Sequence, residues 1–312
     1  MKGPLFYSKI LLFGEYGIIK DSKGLSIPYN FYNGALKVDE ALSEEAARSN
    51  QGLARFAEYL DTLQQEDPSL VQFDIDRMKA DIAQGMYFDS SIPQGYGVGS
   101  SGALVAAIYD KYAHDKITVL ENLTRDRLIT LKSIFGAMES FFHGKSSGLD
   151  PLNSYLSLPI LINSKDNVEP AGIPSQTENG KGAVFLLDSG IVGETAPMVQ
   201  IFMENMKQEG FRKMIKDQFV KHTDACVDDF LNGDVNSLFK NIKKLSHVVL
   251  DHFKPMIPAQ FHKLWEQGIQ TNDYYLKLCG SGGGGYILGF TEDIEKARAA
   301  LKDYKLEVVY HF

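Results

Sequence analysis

An α+β fold is predicted for this chain, because strand-like and helix-like segments fall into separate runs instead of alternating regularly. Three features carry that reading: a strand-rich opening, several consecutive helices running to about residue 270, and a close in the order strand, glycine loop, strand, helix, strand. The composition, 44% hydrophobic and 23% charged over 312 residues, is that of a globular protein with enough chain for one large domain or two moderate ones.

The elements follow in order. SKILLFGEYGII and LSIPYNFYNGALKVD read as strands around a turn at DSKG. Residues 43–67 read as a helix, with Leu53, Phe56 and Leu60 at helical spacing, and a second helix is expected near 75–84. MYFDSSI is a strand candidate, followed by the glycine-rich IPQGYGVGSSG and a helix anchored by Leu104, Val105, Ile108 and Tyr112. Residues 123–143 form the next helix, stopped at FFHG by glycine. The polar GIPSQTENGKG (172–182) suggests a domain boundary, after which AVFLLDSG is a strand. The end reads YLKLC, GSGGGG, YILGF, a helix over 292–303 and KLEVVYHF. Trp265 and the two cysteines are expected to be packing residues.

Charge and cysteine usage exclude several classes. A net charge of −8 offers no general attraction to nucleic acid or anionic lipid, so any anionic ligand needs a local device such as a helix start. Cys226 and Cys279 are far apart and lack metal-ligand spacing, which fits a reducing compartment. The apolar N-terminus carries Glu15 and two glycines and no cleavage pattern, so it does not read as a signal peptide. No run approaches the roughly 18–20 apolar residues that span a bilayer, and a cytoplasmic protein without membrane partners is expected.

GVGSSG (97–102) and GSGGGG (280–285) both satisfy G-x-G-x-x-G, a short and weak pattern. The dinucleotide version belongs just after the first strand of a βαβ unit, whereas this loop arrives near residue 95; no Walker lysine follows it either. Glycine permits close backbone approach, and a helix starting near Ser101 would aim N–H groups and its positive end at an anion. A glycine turn with serine caps accounts for the segment equally well when it is taken alone.

Four segments in the same order, SKILLFGEYGII, PQGYGVGSSGAL, ESFFHGKSSGLD and KLCGSGGGGYILGF, resemble the GHMP small-molecule kinases, and among them mevalonate kinases most. Lys9 to Tyr16 resembles the family's first motif, Pro93 to Ser101 its phosphate loop, and Lys277 to Gly285 its late glycine segment. Glu139, His143-Gly144, Ser147-Gly148-Leu149 and Asp150 keep the family's eleven-position interval from Glu to Asp. The resemblance implies a two-lobed fold, with a ribosomal S5 domain 2-like half over 1–175 and a ferredoxin-like half over 176–312 whose GSGGGG closes over the site. It implies ATP and Mg²⁺ as cofactors, a small alcohol as substrate, a place in the mevalonate pathway of isoprenoid synthesis, and a homodimer for which the sequence shows no interface.

By the same resemblance, Asp150 and Lys9 are catalytic, and Ser101 and Glu139 hold the metal. Gly95, Gly97, Gly99, Ser100, Ser101 and Gly102, with Gly282, Gly283 and Gly284, bind nucleotide. Glu15, Tyr16, Lys145 and Thr195 lie toward the substrate. The chemistry suits these types. Mg²⁺ prefers oxygen ligands and retains waters, so one carboxylate and one hydroxyl make a workable protein share. A carboxylate is about 12 pKa units too weak a base to deprotonate an alcohol outright, a gap of roughly 16 kcal/mol. Asp150 is therefore expected to orient the hydroxyl and take its proton late, with Lys9 stabilising the transferred charge. Ser100 and Ser147 bond phosphate or backbone, and His143 caps a helix end. Tyr16 departs from the family's histidine, and Gly-Glu-Tyr is a phosphomevalonate kinase trait, so the acceptor stays open between mevalonate, phosphomevalonate and another alcohol. A non-catalytic sensor on the same fold is disfavoured because Lys9, Ser101, Glu139 and Asp150 are all present.

Overall fold

Two early strands organise the molecule. In the computed structural model, which describes residues 3–118, 123–164, 167–178 and 180–312 (the His143 side chain excepted), β1 (Phe6–Phe13) and β2 (Gly24–Val38) each run from one compact unit into another. The first unit gathers the chain up to Lys9, Pro28–Pro93 and Gly99–Leu158. The second gathers Ile10–Ile27, Gln94–Val98 and Pro159–Phe312. Compactness therefore divides the chain differently from a single cut near residue 175, because strands longer than one unit carry the backbone back and forth.

In the first unit, α1 (Glu44–Glu66) starts where Ser43 accepts a hydrogen bond from the Ala46 N–H, and Leu53, Phe56 and Leu60 are buried along one face. The serine cap and the acidic first turn of Glu44 and Glu45 both favour that start. Next come α2 (Ile75–Ala83) and β3 (Met86–Ser90), the latter antiparallel to the far end of β2 from Gly34↔Ser90 to Val38↔Met86. The helix after the glycine loop, α3 (Ser100–Tyr112), has more than the expected stripe. Ala103, Val105, Ala106, Ala107, Ile108, Tyr109 and Tyr112 are all buried, so it is a central helix enclosed on nearly every side. α4 (Arg125–His143) begins at a Thr124 cap and stops at Gly144 in a positive-φ conformation, and α5 (Leu149–Leu156) packs on α3 and α4.

The second unit holds β4 (Ile160–Ser164), which pairs with the start of β2 and with β5 (Asn167–Pro170). β6 (Ala183–Asp188) lies inside a four-stranded antiparallel sheet. Helices α6 (Thr195–Asn205) and α7 (Glu209–Met214) follow, and α7 continues through a π-helical segment at 215–220 into α8 (Lys221–Leu231). α9 (Val235–His252) and α10 (His262–Thr271) pack against β7 (Tyr275–Leu278). The chain closes with β8 (Tyr286–Thr291), α11 (Ile294–Ala300) and β9 (Leu306–His311), giving the sheet order β7-β8-β6-β9. β6 is buried along nearly its whole length, as its unbroken AVFLL run requires when both faces are covered. Trp265 is fully buried and donates its indole N–H to the Ser246 hydroxyl at 2.8 Å, and both cysteines are buried and unbridged. No helix among the described residues is long and apolar enough to cross a membrane.

Candidate functional site

Four elements converge on one cluster of the first unit: β1 brings Lys9, the start of α3 brings Ser101, the last turns of α4 bring Glu139, and the first turn of α5 brings Asp150. Lys9 Nζ lies 2.8 Å from Asp150 Oδ1, with the lysine side chain 4% exposed and the aspartate 37%. The ammonium is thus sheltered while the carboxylate still meets solvent. Glu139 is buried, and each of its oxygens accepts from a hydroxyl: Oε1 from Ser101 at 2.9 Å and Oε2 from Ser146 at 2.5 Å. Burial foremost, and the Asp150 charge second, push its carboxyl up to about 7, against the pull of the two serines and Lys9. A carboxylate held this far above its usual range gains when a cation arrives.

Backbone contacts make the convergence possible. A Cβ on Gly102 would stand 2.7 Å from the Asp150 carbonyl carbon and 2.8 Å from the Pro151 nitrogen, so the starts of α3 and α5 touch only because residue 102 is glycine. The residues capping those helices, Gly99 and Gly148, supply no side-chain acceptor to the first turns. The Lys9 stem lies over Gly99, within about 3 Å of where a Cβ would be. Ser100 opens α3 beside this cluster. Lys145 is exposed on the loop after α4, and the Ser147 hydroxyl accepts from the Leu149 N–H, a local cap.

The other expected site residues belong to the second unit. Gly95 and Gly97 fall in its 94–98 segment, so the glycine loop passes from one unit to the other between Val98 and Gly99. There the glycines interlock four stretches of backbone, around 95–97, 193, 256 and 282–286. Gly193 donates to the Gly95 carbonyl at 2.9 Å, Gly283 to Met256 at 2.7 Å, and Tyr286 to Tyr96 at 3.3 Å. Gly97 has φ 77°, and a Cβ on it would lie 2.5 Å from the Cys279 carbonyl oxygen. Gly282 and Gly284 pack in the same way against Met256 and the 191–193 backbone. Glu15 is buried and ion-paired to the equally buried Lys277. Tyr16 is also buried at φ 58°; its hydroxyl donates to the Ser281 carbonyl at 2.7 Å and its ring lies 4.7 Å from that of Phe202. Thr195 opens α6, exposed, with its hydroxyl 3.4 Å from that of Ser281.

Sequence reasoning missed Ser146 and Lys277. Ser146 follows Lys145 in a loop, where no periodicity marks its direction; its signal is only that it sits seven positions after a helix glutamate. The resemblance placed Lys277 at the start of the late glycine segment, but nothing in the sequence paired it with Glu15.

Among the described residues no group of three His, Cys, Asp or Glu side chains could enclose a metal ion. The Glu139 carboxylate and the Ser101 hydroxyl are hard oxygen donors, which suits a magnesium ion sharing its remaining ligands with nucleotide phosphates and water.

Neither a family sequence model nor a curated protein sequence matches the chain. Its structure is similar to that of L. major mevalonate kinase in complex with R-mevalonate, with TM-score 0.63 and 18% identity over 96% of this chain and 91% of that one. It is similar to Streptococcus pneumoniae phosphomevalonate kinase in complex with phosphomevalonate and AMPPNP, with TM-score 0.63 and 12% identity over 98% and 99%. It is also similar to Lactococcus lactis galactokinase complexed with galactose, with TM-score 0.66 and 12% identity over 98% and 92%. The fold is therefore that of the GHMP kinase superfamily, across nearly the whole chain.

Proposed function

We propose that this chain is a small-molecule kinase that transfers the γ-phosphoryl group of ATP to the hydroxyl of a small alcohol, with mevalonate as the first candidate and 5-phosphomevalonate as product. The observation that supports it most is the Lys9–Asp150 pair at 2.8 Å, set where the starts of α3 and α5 meet. As the alcohol oxygen bonds to the γ-phosphorus, the bond from that phosphorus to the β–γ bridging oxygen breaks and ADP leaves. Asp150 orients the hydroxyl and accepts its proton as that bond forms. Lys9 holds the carboxylate in place and offsets negative charge on the attacking and transferred oxygens.

The first turn of α3, with its N–H groups and positive dipole end, suits an anionic phosphate. Glu139 and Ser101 would hold Mg²⁺, which when bound would supply charge neutralisation on the phosphates. Mevalonate is favoured by the interval from Glu139 to Asp150 and by the glycines of 282–285. Gly14-Glu15-Tyr16 favours a second reading, phosphomevalonate kinase. A cytoplasmic setting fits the two free cysteines. The test is ATP consumption with mevalonate, phosphomevalonate, galactose and homoserine in parallel. Turnover of mevalonate well above the others is expected; ATP binding with no turnover of any of the four would replace the kinase reading by that of a sensor or an untested acceptor.

A further inference from the structure

We infer that Ser146 is a positioning residue that ties the metal-binding carboxylate to the turn carrying Asp150. The inference rests on the proposed role of Glu139 as a magnesium ligand. Ser146 Oγ donates to Glu139 Oε2 at 2.5 Å and accepts from the Gly148 N–H at 3.2 Å. One hydroxyl thus spends its proton on the carboxylate and a lone pair on the turn. Gly148 is the residue before α5, and Asp150 is the second residue of that helix. The Ser146 N–H is itself held by Ser140 Oγ at 3.3 Å, whose own proton goes to the Gly136 carbonyl at 2.7 Å. The serine is therefore anchored to α4 by its backbone as well as by its side chain.

The packing leaves little slack in this arrangement. A Cβ on Gly148 would stand 2.1 Å from the Lys132 carbonyl oxygen, so the turn lies directly on the α4 backbone. With Ser101 on one oxygen and Ser146 on the other, Glu139 cannot rotate without breaking a charge-assisted bond. A cation that competes for the carboxylate therefore acts on Ser146, and through Gly148 on the first turn of α5. Groups that orient a metal ligand are commonly worth about 10- to 100-fold in metal affinity.

The test measures Mn²⁺ binding by electron paramagnetic resonance in the presence of a non-hydrolysable ATP analogue, for the native chain and for Ser146→Ala, Ser146→Thr and Glu139→Gln. Ser146→Ala is expected to weaken Mn²⁺ binding about tenfold, with Ser146→Thr, which keeps the hydroxyl, restoring most of it. Amide exchange at Gly148 in the native chain is expected to slow when Mn²⁺ and the analogue are added, a readout that needs no variant to fold. If Glu139→Gln binds Mn²⁺ as the native chain does, the metal role of Glu139 fails and the inference falls with it. If Glu139→Gln weakens binding but Ser146→Ala only lowers the melting temperature, Ser146 merely pins the loop and the inference alone is overturned. Unchanged exchange at Gly148 also overturns it.

Discussion

Asp150 and Lys9 form a pair in which one member is sheltered and the other is reachable, an asymmetry that suits the roles proposed for them. Replacing Asp150 with alanine removes the proposed proton acceptor but leaves the first turn of α3 in place. Turnover is expected to fall about 10²- to 10⁴-fold while ATP binding, measured by calorimetry, is retained. Full activity in that variant would remove the assigned role. Elsewhere, His222 offers a pH prediction unconnected with catalysis. Burial first, then Lys244 and Lys221, hold its ring below the usual histidine range. A depressed folded-state pKa means that its contribution is fully present above about pH 6.5, the unfolded value, and is lost as pH falls through the folded value. Melting temperatures followed from pH 7.5 to 5 should decline less steeply for His222→Gln than for the native chain. At this scale the resemblance to GHMP kinases singled out Lys9, Ser101, Glu139 and Asp150, and the fold brings these four into one cluster. The sequence was silent on Ser146, because the direction of a loop serine depends on glycines packed several residues away.

Among the elements, α1, α4 and the strands of the second sheet were legible from apolar spacing and caps, within a few residues at each end. α3 was recognised as a helix, but Leu104, Val105, Ile108 and Tyr112 suggested a one-sided stripe. The alanines at 103, 106 and 107 are what let neighbours enclose it, and small residues carry little weight in a hydrophobic pattern. The contact between α3 and α5 depends on Gly102. Gly102→Ala should force the two helix starts apart, lowering stability by about 1–3 kcal/mol in denaturant melts and reducing turnover further than stability alone explains. Ser43→Ala, at the cap of α1, is the contrasting case. It should lower stability by about 1 kcal/mol and leave kinetic constants unchanged.

For the molecule as a whole, the segregation of strands and helices foretold the class of fold, and four ordered motifs foretold the GHMP kinase fold that it shares with its structural neighbours. The interleaving of the two compact units was not legible, because nothing in the composition of β1 or β2 marks where a strand leaves one unit for the other. Ligand linkage offers a test at this scale. A ligand that binds only the folded chain at 100 times its dissociation constant adds about 2.7 kcal/mol of stability. Saturating ATP with Mg²⁺ should therefore raise the melting temperature, and a chelator should remove most of that shift while the nucleotide is still present. An identical shift with and without the chelator would count against metal-assisted nucleotide binding.

The interlocked glycines of 95–97, 193 and 282–285 have a consequence for how the chain tolerates change. At a functional side chain, a substitution ends activity and leaves a folded protein. At Gly97, any side chain at all collides with the Cys279 carbonyl, so no choice of residue is conservative there. Saturation mutagenesis scored by soluble expression should find its sharpest minima at positions that have no side chain, ahead of the residues that perform the chemistry. These loops constrain one another through backbone alone, and sequence drift is permitted around them more readily than within them.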